Sequence, residues 1–330
     1  MVSCLDINAI AFKSVIKQNN IRRPRLLIVG CGDVLQRALP WLLQRFRIYA
    51  TARSAEAAAA LRALGVMPVA ADLDQRTGLA RLAGVAQWLV HSAPPANNGP
   101  SDLRTRRLLA ALALRRASQQ AILPHASTPA RRGASVHPAR AVYIGTSGVY
   151  GNCHGSWVQE TRNTAPDTDR ARRRASAERT LRAWARRQQV QLALLRAPGI
   201  YAAERLPVAR IQRSEAAIAA AEDSYSNHIH ADDLAHAVCL ALFRGKPLRV
   251  YNASDDAPHR MGDWFDQVAD HLALPRPPRI SRADAQHVIS PGLLSYLNES
   301  RRLDNRRIKA ELRLQLRWPT AEAFLAASKA

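Results

Sequence analysis

The chain has 330 residues, 47% of them hydrophobic and few aromatic, so it can bury a sizeable core as one large domain or as a domain with a smaller partner. Its formal charge is +22, yet only five of its 48 basic residues are lysine and the arginines run along the whole chain. That distribution argues against one designed basic face: such a field attracts polyanions, but a solvated basic surface is expected and nucleic acid is not an expected partner.

Residues 1–23 carry a short apolar stretch, Ile7 to Phe12, near Lys13 and Lys17. They lack the ordered regions of a secretory signal and read as a loosely ordered extension. Arg25–Val29 is an apolar run that ends at Gly30, and Val34, Leu35, Ala38, Leu39, Leu42 and Leu43 then recur at helical spacing. A second strand is predicted at Arg47–Ala52, an alanine-rich helix at Ala55–Leu64, and a third strand at Val66–Ala70. A short helix at Leu79–Leu82, a strand at Trp88–Val90, a helix at Leu103–Ser118 and a strand at Ala141–Ile144 continue the alternation. Between the last two, Gln119–Arg140 reads as a surface insertion. Further on come a long arginine-rich helix at Asp169–Gln188, a strand at Gln191–Arg196, a helix at Ala231–Phe243 and a strand at Arg249–Asn252, with Pro275–Pro278 as a breaker. This order predicts an α/β fold with a doubly wound, parallel, Rossmann-type sheet. The core is expected over residues 24–200, with strands returning near 225–255, and a smaller, mostly substrate-binding part over 201–330.

Gly30-Cys31-Gly32-Asp33-Val34-Leu35 follows a strand and opens a helix. Gly30 permits a tight turn, Gly32 admits a diphosphate close to the backbone, and the helix start offers free N–H groups. Leu35 stands where a third glycine is usual. After the second strand, Arg53 and Ser54 occupy the place of the carboxylate that binds NAD ribose. An arginine there suits the 2′-phosphate of NADP, so NADP is the expected cofactor, with NAD as the alternative. Asp72 ends the third strand near the adenine edge, and Ser92, Ala93 and Pro94 follow the fourth strand under the ribose and nicotinamide. His91 beside them reads as structural. Cys4, Cys31, Cys153 and Cys239 show no paired spacing, which argues against disulfides or zinc and fits a reducing cytoplasm. No apolar run reaches membrane-spanning length.

Thr146-Ser147-Gly148-Val149-Tyr150-Gly151, Leu195–Tyr201, Asn227–Leu234, Tyr251–Asp256 and Ser300–Leu312 occur in the order of further motifs. With them the chain resembles the extended and atypical short-chain dehydrogenase/reductase superfamily, the NAD-dependent epimerase/dehydratase group, over about residues 25–325. The resemblance implies a cofactor contact at Pro198, a substrate pocket faced by Asn227 and His228, and Asp232 or Asp233 capping the next helix. His228 and His230 lack a completing ligand set, so no metal site is expected. It also implies a Tyr-x-x-x-Lys pair on the helix at Asp169–Gln188. With Glu178 as register mark, Arg170 takes the tyrosine place and Arg174 the lysine place. Arginine is permanently charged and cannot serve as an ordinary acid or base. Arg174 can anchor ribose or phosphate, and Arg170 can polarise a carbonyl or bind an anion. Thr146 is the candidate for the substrate oxygen, and Tyr150 is a candidate replacement acid or a pocket-lining residue. Two functions stay open: an NADP-dependent reductase, epimerase or dehydratase acting on a carbonyl or nucleotide-sugar-like, anionic small molecule, and a non-catalytic NADP(H)-binding redox sensor. Monomer and homodimer both stay open.

Overall fold

In β1 (Arg25–Val29), Leu26 and Ile28 are buried on one side and Leu27 and Val29 on the other. The same period-two alternation runs through the other central strands, because successive side chains of a strand point to opposite faces. A strand covered on both faces therefore reads as a continuous apolar run. The structure, a computed structural model, describes residues 23–113 and 137–328.

Six more strands join β1: β2 (Arg47–Ala52), β3 (Met67–Ala70), β4 (Trp88–His91), β5 (Arg140–Thr146), β6 (Gln191–Ala197) and β7 (Arg249–Asn252). They form one seven-stranded sheet in the order β7-β6-β5-β4-β1-β2-β3, and every pairing is parallel. Leu26 pairs with both Ile48 and Trp88, so β1 sits at the point where the chain order reverses. In such sheets a crevice opens there, outside the carboxyl ends of the strands.

Helices α1 (Asp33–Leu43) and α5 (Ala231–Arg244) cover one face with Leu35, Leu39, Leu42, Leu234, Val238 and Leu242. The other face is covered by α3 (Leu103–Leu112) and α4 (Asp169–Gln188) through Leu108, Leu112, Leu181 and Trp184. Helix α2 (Ala55–Ala63) lies between β2 and β3, with only Leu61 buried. A smaller cluster, including Tyr201, Ile211, Trp264, Phe265 and Phe324, forms the core of the later part.

Several expectations change at this level. The insertion expected at Gln119–Arg140 lies outside the described residues up to 136, as do the last five residues, 114–118, of the helix expected at Leu103–Ser118 and residues 1–22 of the expected amino-terminal extension. The strand expected at Ala141–Ile144 runs longer, to Thr146. Helix α5 is not capped by an aspartate: His230 is its N-cap, and its ring Nδ1 accepts the Asp232 N–H at 3.2 Å. Asp233 instead accepts the backbone N–H groups of Arg317 and Trp318 at 2.8 and 3.0 Å, and Asp232 pairs with Arg37 at 2.7 Å. Two-residue pairings such as Trp157–Val158 with Arg302–Leu303 carry no periodicity, so the sequence does not announce them. No helix among the described residues is long and apolar enough to cross a membrane.

Candidate functional site

Gly30 closes β1 with φ at +88°, a conformation that L side chains avoid. A Cβ there would also stand 2.7 Å from the Ala93 nitrogen, so the first turn and the loop after β4 touch backbone to backbone. Ser92 and Ala93 donate their N–H groups to the Val29 carbonyl at 2.9 and 3.0 Å, and the Ser92 hydroxyl bonds the Gly30 carbonyl. Gly32 is the N-cap of α1, and a Cβ on it would meet nothing within 4 Å. Leu35 does not obstruct the turn: only 1% exposed, it packs down into the core with Leu26 and Ile28. Asp33 follows Gly32, and Arg37 Nε at 2.9 Å and Arg205 Nε at 3.3 Å offset its charge.

These groups open onto a single cleft of about 770 Å³ along the carboxyl edge of the sheet. All six residues of the Gly30–Leu35 turn line it. Arg53, Ser54 and Asp72 line it, together with Arg104, which the sequence reading missed. Arg104 Nε donates to Asp74 Oδ1 at 2.7 Å, and its Nη1 donates to the Pro94 carbonyl at 2.9 Å. Ser54 accepts the Ala57 N–H at 3.2 Å and so caps α2. Ser92, Ala93, Pro94, Thr146, Arg174 and Pro198 line it as well. Thr146 Oγ1 accepts the Gly148 N–H at 3.2 Å. Arg174 Nη1 lies 3.3 Å from both the Tyr143 hydroxyl and the Ile144 carbonyl, which hold it over the end of β5. Arg205, also missed, lines the cleft beside Asp33. In a chain this rich in arginine, neither residue stands out by spacing.

Four expectations are corrected. Tyr150 does not line the cleft; it is buried, its hydroxyl donates to Asn252 Oδ1 at 2.7 Å, and the Arg196 guanidinium lies over its ring. Burial pushes its proton affinity up, so it is a poor replacement acid. Arg170 does not line the cleft either: it stacks on Tyr296 at 3.4 Å and faces Glu299 at 3.8 Å. Asn227 is a brace, donating to the Arg301 carbonyl at 2.9 Å and accepting the Leu303 N–H at 2.7 Å. His228 is buried against Trp264 and His259, and burial drives its pKa down to about 3. His91 is structural as expected: its Nε2 meets the Thr105 hydroxyl at 2.9 Å, and burial lowers its pKa to about 4, so it is neutral near pH 7.

Near His228 lies Asp255, whose carboxyl burial pushes from an ordinary 3.8 up to about 8. The folded state then keeps a proton that the unfolded chain releases, so stability falls as pH rises from about 4 to about 8. We expect Asp255→Asn, neutral at every pH, to melt higher than the parent at pH 8 and to lose that advantage at pH 4. An equal difference at both pH values would refute the shift.

Residues 81–254, just over half of the chain, match the model of the NAD dependent epimerase/dehydratase family. Among solved structures, the chain is similar to a conserved protein of unknown function from Silicibacter pomeroyi, with 28% identity and a TM-score of 0.70 over 93% of this chain and 98% of that one. It is also similar to UDP-glucose 4-epimerase with UDP-glucose from Thermotoga maritima, at 15% identity and TM-score 0.69 over 92% and 97%. A third likeness is to dTDP-glucose 4,6-dehydratase with NAD from Bacillus anthracis, at 14% identity and TM-score 0.68 over 93% and 95%. At such identities the last two speak for the fold alone. No curated protein matches the chain.

Proposed function

Since this chain belongs to the NAD-dependent epimerase/dehydratase family, we propose that it is an NADP(H)-dependent oxidoreductase, epimerase or dehydratase acting on an anionic carbonyl compound or nucleotide-sugar-like molecule. One observation carries the reading: a single cleft joins the Gly30–Leu35 turn, Arg53 and the Thr146–Arg174 pair. The open space at Gly32 fits a diphosphate, because a side chain there would fill the ground that group needs.

In this reading the N–H groups at the start of α1 hold the diphosphate. Arg53 with Ser54 holds the 2′-phosphate, and Asp72 meets the adenine edge. Ser92, Ala93, Pro94 and Pro198 pack along the ribose and ring, and Arg174 anchors the nicotinamide ribose. When bound, the nicotinamide supplies or accepts a hydride. Thr146 orients the substrate oxygen by hydrogen bonding. The arginines in and beside the cleft favour a substrate that carries negative charge.

A thermal-shift titration with NADP(H) and NAD(H), on the parent and on Arg53→Ala, tests the phosphate clamp. The parent is expected to be stabilised more by NADP(H), and Arg53→Ala to lose that preference while keeping its response to NAD(H). An equal response of the parent to both cofactors would sink the NADP assignment.

The arginines at the tyrosine and lysine places favour a second reading, a non-catalytic NADP(H)-binding redox sensor. An NADPH-oxidation assay over a panel of carbonyl compounds separates the two. Cofactor binding without turnover, joined to affinity for a protein partner, is the outcome that selects the sensor.

A further inference from the structure

We propose that Arg205 binds the diphosphate bridge of the nicotinamide dinucleotide, from a segment that lies outside the glycine turn. This role rests on the cofactor reading above and adds to it a cationic partner that the turn itself does not contain.

Among the described residues four arginines line the cleft: Arg53, Arg104, Arg174 and Arg205. Two of them are engaged by the protein. Arg104 gives Nε and Nη2 to Asp74 and Nη1 to the Pro94 carbonyl. Arg174 gives Nη1 to the Tyr143 hydroxyl and the Ile144 carbonyl. Arg205 is different. Its Nε lies 3.3 Å from Asp33 Oδ2, yet that oxygen is buried and accepts no hydrogen bond, so the pair is held by charge alone. The two Nη groups donate to none of the described residues. A guanidinium carries five N–H donors, and here a cleft-lining one has them unspent.

Its partner fixes where in the cleft it stands. Asp33 is the first residue of α1 and follows Gly32, so Arg205 stands at the glycine turn. Arg53 stands after β2, beside the Ser54 that caps α2. The two free arginines therefore serve different phosphates: Arg53 the 2′-phosphate and Arg205 the diphosphate.

The segment that carries Arg205 is held on both sides. Before it, Gly199–Tyr201 pairs in parallel with His228–His230, and Pro198 and Ile200 line the same cleft. Beside it, Glu204 pairs with Arg37, one helical turn along α1 from Asp33. The acid and base of the segment thus face the base and acid of α1, and a slip of one residue would set like charges together. Arg37 cannot take the role itself. It answers Asp33 at 2.9 Å, Asp232 at 2.7 Å and Glu204 as well, and it does not line this cleft.

An acid in the first turn of a helix suits the helix dipole, but a carboxylate beside a diphosphate repels it. Arg205 offsets the Asp33 charge and still has paired N–H groups for phosphate oxygens, the geometry in which guanidinium recognises that group best. The N–H groups of α1 offer partial charges, and Arg205 adds a whole one. The step is binding only: no bond is made or broken.

The test uses the full chain as parent, Arg205→Met, Arg205→Lys, Asp33→Asn and the Asp33→Asn/Arg205→Met double variant. Isothermal titration is run with NADPH, NADH and ADP-ribose, which keeps the diphosphate and lacks the nicotinamide, and a melting curve without ligand checks the fold. We expect Arg205→Met to melt like the parent and to lose about 10- to 100-fold in affinity for all three ligands, the scale of charge-assisted hydrogen bonds. Arg205→Lys, which keeps the charge but not the fork, should recover part of that loss. The same factor should separate Asp33→Asn from the double variant. Unchanged affinity in Arg205→Met, a loss confined to NADPH, or a loss that spares ADP-ribose would overturn the role and leave the cofactor reading standing. So would a loss that vanishes in the Asp33→Asn background, because Arg205 would then be only a counter-charge. A parent that binds none of the three ligands overturns the cofactor reading and this role with it.

Discussion

Replacing Glu178 by alanine is expected to destabilise the protein by about 3–5 kcal/mol, the cost of stranding a buried charge. Glu178 on α4 and Arg196 at the end of β6 are 4% exposed each. Arg196 Nε and Nη2 reach the two carboxylate oxygens at 3.0 and 2.7 Å, and the guanidinium lies 4.6 Å from the centre of the Tyr150 ring. Burial alone would ease the proton off Arg196, but the hydrogen bonds and charge of Glu178 reverse that and hold it on. Removing the carboxylate leaves an arginine that cannot neutralise itself and has no water to turn to. Urea unfolding at neutral pH gives the measurement: the midpoint should drop with the slope unchanged. Replacing both partners, as in Glu178→Leu with Arg196→Met, should recover much of the loss, because the charge is then gone rather than stranded. A loss below about 1 kcal/mol for the single variant, the scale of an exposed pair, would show that the pair is solvated.

Gly32→Val should leave the free protein folded and abolish its affinity for nicotinamide dinucleotides. Gly32 has φ −84° and ψ −171°, which a β-branched residue adopts without strain, and a Cβ there meets no protein atom within 4 Å. The melting temperature without ligand should therefore stay close to that of the parent. The new side chain would occupy the space in front of the first N–H groups of α1, where the diphosphate is proposed to sit. We expect NADPH affinity to fall at least about 100-fold, or about 2.7 kcal/mol, in an isothermal titration. Gly30→Ala is the contrasting variant. It combines a left-handed backbone with a 2.7 Å clash against Ala93, so it should lose stability as well as binding. Parent-like affinity in Gly32→Val would remove the main support for the proposed cofactor site.

Much of the site could be read from the chain because it is built from ends of strands. In a parallel sheet every β-to-α turn falls on the same edge, so residues just after β1, β2, β3, β4 and β5 converge whatever their separation in sequence. The Gly30–Leu35 turn, Arg53, Asp72, Ser92 and Thr146 all line one cleft for that reason. Where the chain misled, the missing information was the direction of a side chain. Tyr150 sits in a motif beside Thr146, but the short 3₁₀ turn Ser147–Tyr150 buries its ring and aims its hydroxyl at Asn252. His230, not an aspartate, caps α5, since the two aspartates are drawn to Arg37 and to the backbone of Arg317 and Trp318.

Periodicity, glycine placement and the order of strands and helices by themselves determined the α/β sheet, the turn after β1 and the edge on which the cleft opens. They are local properties, written within a few residues of where they act. Only the tertiary structure decided that Glu178 belongs to Arg196 and that Tyr150 is committed to Asn252. Those pairings join side chains from separate elements, and burial, which makes each of them matter, exists only once the elements have packed.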